Sequence, residues 1–112
     1  MFEPKYRSRL GICIDTCHIF VAGTLDMRSK DNVDDFFMQF DKLIGLDNLK
    51  LIHFNDSKVR YDGNVDRHMG LMCGFIANPL LGGNTGGFKQ LSQNAASLNI
   101  PMVLETPGVV YP

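Results

Sequence analysis

The apolar residues of this chain change period along its length, and each change marks an element. Residues 10–14, Leu-Gly-Ile-Cys-Ile, form a short apolar run that predicts a buried strand. Over residues 31–46, Val33, Phe36, Phe37, Phe40, Leu43 and Ile44 recur at steps of three and four, which makes one apolar helical face. Ser29 or Asp31 can cap that helix, and Asp31, Asp34 and Asp35 occupy its first turns, where the helix dipole favours acids. Gly45 stands near its end. Residues 49–56 predict a second strand, carrying Leu51 and Ile52 and with His53 at its end. Residues 57–86 are polar and glycine-rich, and a connection of that length is uncommon unless it is functional or locally structured. Phe88, Leu91, Ala95 and Leu98 restore helical spacing over 88–98, and Met102 to Leu104 predict a third strand ending in Glu105.

Strand, helix, strand, loop and helix, strand is two successive βαβ units, hence an α/β fold with a parallel sheet and helical crossovers. Parallel sheets are covered by helices. No covering helix is predicted before residue 10, and seven residues follow Glu105. The pattern therefore predicts a partial domain, residues 1–112, of a larger barrel or sheet. Its open edges invite self-association or a partner that supplies missing strands.

Charge narrows the function. Eleven basic against 12 acidic residues give a formal net charge of -1, which argues against a broad, nonspecific nucleic-acid binder. It leaves room for a DNA enzyme whose positive charge comes from bound ions. Cys13, Cys17 and Cys73 are odd in number, and the opening MFEPKYRSRLG has no apolar leader. The expectation is free thiols in an intracellular protein with no membrane span, cytoplasm and nucleus not being distinguished. Cys13 and Cys17 flank Asp15 and could be soft zinc ligands, but free cysteine is more often a small buried hydrophobe.

The three histidines each lie within three residues of an acid: His18 after Asp15, His53 before Asp56, His68 after Asp66. One such histidine is ordinarily a satisfied core or surface residue. Three of them, with Asp15, His53 and Glu105 at the carboxyl ends of predicted strands, form a pattern that points to a site. Residues two apart in an extended segment point the same way, so Asp66 and His68 can grip one ion. Imidazoles and carboxylates suit a hydrolytic zinc or manganese site better than a structural zinc finger. Such ions activate water and clamp the oxygens of a transferring phosphoryl group.

Four motifs, GICIDTCHIFVAG, LIHFNDSK, VDRH and LETP, occur in this order, and with them the chain resembles the endonuclease IV family of apurinic/apyrimidinic endonucleases over roughly residues 7–107. The resemblance implies the carboxyl-terminal part of a (β/α)8 TIM barrel, about its last three parallel strands with two crossover helices. It implies DNA containing abasic sites as the partner, base excision repair as the setting, and cleavage of the backbone on the 5′ side of the lesion. It further implies zinc, up to three ions in a complete enzyme, with His18, Asp66 and His68 holding one ion. Asp15, His53 and Glu105 would hold another and act as catalytic residues, together with a glutamate from elsewhere in the barrel. Arg67 would meet DNA phosphate, and Asn55 and Asp56 would orient the site from behind. The sequence departs from the family after VDRH. The usual turn L-G-x-G-x-I-G is replaced by Leu71-Met72-Cys73-Gly74-Phe75-Ile76-Ala77, and the stretch over 78–87 is longer than usual. The rival readings are a metal-dependent sugar isomerase or epimerase on a similar barrel, and a non-catalytic fragment that needs a partner.

Overall fold

The computed structural model describes residues 11–104. Strand β1 (Ile12–Asp15) pairs in parallel with β2 (Leu49–His53), and β2 with β5 (Met102–Val103). Spatial order follows chain order, β1-β2-β5, as in one arc of a barrel wall. The register sets Ile14 beside Ile52 and Asp15 beside His53. Side chains alternate along a strand, so the buried Ile14 and Ile52 share one face, while Asp15 and His53 lie on the other at its carboxyl end.

Helix α1 (Thr16–Val21) starts where β1 stops; the sequence pattern did not predict it. Helix α2 (Lys30–Leu43) is the predicted amphipathic helix, capped by Ser29, whose hydroxyl accepts from Asn32 N at 3.2 Å. It buries Val33, Phe37 and Phe40. Helix α3 (Thr85–Ser97) begins three residues earlier than the apolar spacing suggested, because Asn84 caps it, accepting from Gly86 N at 2.6 Å. It buries Gly87, Phe88, Leu91 and Ala95. The two helices pack side by side, tied by Asn94 Nδ2 donating to Asp34 Oδ1 at 3.0 Å. Their apolar faces form one core with Ile14 and Ile52, and the Phe54 and Phe88 rings meet edge-on with centroids 4.5 Å apart.

The long connection is locally structured. Short strands β3 (Asp56–Ser57) and β4 (His68–Met69) pair antiparallel, with Ser57 opposite His68. The segment between them is anchored to the end of α1: Asp62 N donates to Phe20 O at 3.1 Å and Asn64 N to Val21 O at 2.9 Å. Beyond β4, the fully buried Asp56 carboxylate accepts from Ser57 N (2.7 Å), Ile76 N (2.8 Å) and Ala77 N (3.2 Å). Three N–H donors make this an effective clamp on a buried charge. Gly74 is required there, since a Cβ would run into Ser57 O and the Asp56 carboxylate.

Met72 has φ 66°, the left-handed region, at the position where the family turn places glycine. The thinned glycine pattern thus puts a side chain on a backbone conformation that disfavours one, at a cost of about 1–2 kcal/mol. Met72→Gly should raise the unfolding free energy by about 0.5–1 kcal/mol, the conformational relief exceeding the added freedom of the unfolded chain. Urea denaturation of both chains measures this; a less stable glycine variant would contradict it.

Candidate metal centre

Asp15 does two jobs at the end of β1. It is the N-cap of α1, Oδ1 accepting from His18 N at 3.1 Å. Its other oxygen, Oδ2, lies 3.3 Å from His68 Nε2 and 3.5 Å from Asn55 Nδ2. The capping role and the place beside His68 are shared between the two carboxylate oxygens.

The next residue fixes the neighbourhood. Thr16 is fully buried, and its hydroxyl accepts from Asn55 N at 2.8 Å and donates to Asn55 O at 2.6 Å, with His53 O at 3.3 Å. One side chain on the β1 side therefore holds the end of β2. Asn55, also fully buried, presents its amide to Asp15.

The β3–β4 ladder then delivers the VDRH segment to this edge. Asp66 stands between two imidazoles, Oδ2 at 3.6 Å from His18 Nδ1 and Oδ1 at 3.6 Å from His68 Nε2. His18 is mostly exposed on α1, Asp66 is partly exposed, and His68 is largely covered. Arg67 between them is exposed, while its carbonyl is held by Lys58 N at 2.9 Å and the Cys17 thiol at 3.3 Å.

The structure thus brings Asp15, His18, Asp66 and His68 together, with Asn55 behind Asp15. His53 sits beside Asp15 by strand register and half-buried, and like Asp15 and His18 it lies outside the tightest donor group, Cys17, Asp66 and His68. Asp56 is committed to the amides of residues 57, 76 and 77, so it shapes the loop rather than facing the carboxylates. Glu105 lies outside the described residues.

One neighbour of the site was undervalued in the sequence. Cys17 Sγ, Asp66 and His68 offer atoms all within 4.8 Å of one another, a group that can hold a metal ion. Its signal was the unrecognised helix: behind the capping Asp15, Cys17, Phe20 and Val21 recur at helical spacing and are all buried. On α1 Cys17 is buried while the adjoining His18 is exposed. Burial pushes the Cys17 thiol up from 9.0 to about 12, with a hydrogen bond to Asp66 adding to the rise and one to Ser57 opposing it.

The profile of the xylose isomerase-like TIM-barrel family matches residues 5–81, more than half of the chain. The chain belongs to that family. Within it, the endonuclease 4 homolog of Dictyostelium discoideum is 41% identical over 104 residues, 93% of this chain and 18% of its own length. A probable endonuclease 4 of Buchnera aphidicola is 44% identical over 100 residues, 89% of this chain and 33% of its own. Endonuclease IV from Thermus thermophilus, a crystal structure, superposes with a TM-score of 0.69 at 27% identity, over 89% of this chain and 33% of that one. The chain spans a third or less of the length of these relatives, and its three parallel strands are an arc of the family's barrel. Among the described residues no helix is long and apolar enough to cross a membrane.

The thiol gives a pH prediction for the chelator-treated chain. In the unfolded state Cys17 ionises near 9.0; in the folded state it keeps its proton to about 12. The unfolded state therefore binds fewer protons in that window, and stability falls as pH rises through it. Cys17→Ala should remove that part of the slope, measured as the difference in unfolding free energy between the two chains across the window. Parallel slopes would contradict the burial described here.

Proposed function

We propose that this chain carries part of the active site of a zinc-dependent deoxyribonuclease acting on DNA that contains abasic sites. The observation that carries the reading is the Asp66 carboxylate set between His18 and His68, with Asp15 3.3 Å from His68, at the carboxyl ends of parallel strands. Nitrogen and oxygen ligands about 2.0–2.2 Å from a tetrahedral zinc stand roughly 3.3–3.6 Å from one another. The Asp66–His18 and Asp66–His68 pairs, each at 3.6 Å on a different oxygen of the carboxylate, have that spacing. A donor set of imidazoles and carboxylates also suits zinc better than a hard cation such as magnesium.

In this reading His18, Asp66 and His68 hold one ion, and Asp15, His53 and Glu105 contribute toward a second. A bound zinc supplies Lewis acidity toward a phosphodiester. The chain's own residues do the positioning. Asn55 fixes the Asp15 oxygen that faces His68, as partners behind metal ligands commonly do. In this reading the exposed Arg67 meets a DNA phosphate in bidentate fashion. The names of the relatives, endonuclease 4 and endonuclease IV, favour a nuclease over a sugar isomerase on the same barrel. Residues 1–112 act as one partial-barrel unit, and the rest of the wall comes from further chain or from a partner.

Zinc bound per folded chain, by elemental analysis after dialysis, tests this. About one ion is expected, lost in His68→Ala and weakened less by His53→Ala, because the donors around His68 are assembled within this chain. No bound zinc, or equal losses in the two variants, would overturn the grouping.

A further inference from the structure

We infer that Lys58 is a second phosphate-binding residue of this chain, paired with Arg67 across the β3–β4 ladder, so that two neighbouring cations grip the backbone of one DNA strand. This rests on the DNA reading above and goes beyond it by adding Lys58 and by making the two cations one contact. Three observations carry it. Ser57 stands opposite His68, and one step further along the same register Lys58 N donates to Arg67 O at 2.9 Å, which sets the two cationic residues opposite each other. Opposed residues of an antiparallel pair share a face, with Cβ atoms about 4.5–5.5 Å apart. Both residues are exposed, and among the described residues neither side chain has a hydrogen-bond or ion-pair partner; the acid beside Arg67, Asp66, faces His18 and His68 instead. The backbone beneath the pair is fixed on both sides. Ser57, fully buried, accepts at its carbonyl from Phe75 N at 2.8 Å, and the Arg67 carbonyl also accepts from the Cys17 thiol at 3.3 Å.

Like charges directly opposite each other destabilise a ladder. The fold gains nothing from this pair, whereas a polyanion neutralises both members at once. The chain's net charge is -1, so the attraction is local and not that of a generally basic surface. A phosphodiester backbone fits because it presents charges in series: arginine takes a phosphate as a planar fork, and lysine takes one as a point charge. Such contacts fix the position of a strand without reading its bases.

The test is the salt dependence of binding, by fluorescence anisotropy, of the full 112-residue chain with zinc to a short duplex carrying a tetrahydrofuran abasic analogue. Lys58→Gln should weaken binding and reduce the slope of log K against log salt by about 1. Lys58→Arg keeps the charge and should keep the slope. Lys42→Gln, at an exposed cation on α2, makes the same change in net charge and should leave the slope as in the parent. Lys58→Glu turns the repulsive pair into an attractive one, so it should unfold at a higher urea concentration than the parent and yet bind DNA more weakly than Lys58→Gln. A residue that served only the fold would lose stability and binding together. An unchanged slope in Lys58→Gln, an equal fall in Lys42→Gln, or a Lys58→Glu chain less stable than the parent would overturn the pair while leaving the DNA reading standing. No binding by the parent chain would overturn that reading, and this inference with it.

Discussion

A single buried hydroxyl sets the geometry on which the site depends. Thr16, the first residue after β1, bonds both the N–H and the carbonyl of Asn55, just past the end of β2. Parallel strands are joined by long crossovers, so nothing local forces their carboxyl ends into register. Thr16 does this across 39 residues of sequence, and it places Asp15 beside His53 and the Asn55 amide against Asp15. Losing the hydroxyl would remove both of these bonds in a fully buried place, which is the costly way to lose a hydrogen bond.

The second constraint is the carboxylate of Asp56. It stands where β2 gives way to the long connection and gathers the amide of Ser57 at its start and those of Ile76 and Ala77 further along it. A segment of that length with only one short 3-10 turn, Pro79–Leu81, would ordinarily be expensive to order. Here a short ladder, the α1 carbonyls and one buried charge share that work, and the product is the placement of Asp66 and His68 over the strand ends. The loop is built as carefully as the sheet because it carries half of the donors.

Much of this was legible in the sequence where periodicity is strong. Phe37 and Phe40 on α2, and Phe88 and Leu91 on α3, announce helices, and Ile14 and Ile52 announce strands. The sequence sets each histidine near an acid, and in the structure His18 and His68 both stand beside Asp66. Two things were hidden. Helix α1 has only six residues and follows a strand without a break, so its period is too short to separate from the apolar run before it. Cys17 therefore looked like filler rather than a neighbour of Asp66 and His68. The β3–β4 ladder is two residues on each side and is held by a side chain, Asp56, rather than by strand propensity. Short elements specified by one tertiary bond leave no periodic trace.

The central claim is that Asp66 joins the imidazoles of His18 and His68 into one metal centre. The most direct measurement is the long-range nitrogen–proton NMR spectrum of the three histidine rings during a zinc titration. The account predicts that His18 and His68 change together, at Nδ1 and Nε2 respectively, as the first equivalent binds, and that His53 lags behind. First-equivalent changes confined to His53, or changes in His18 and His68 at separate stoichiometries, would contradict it.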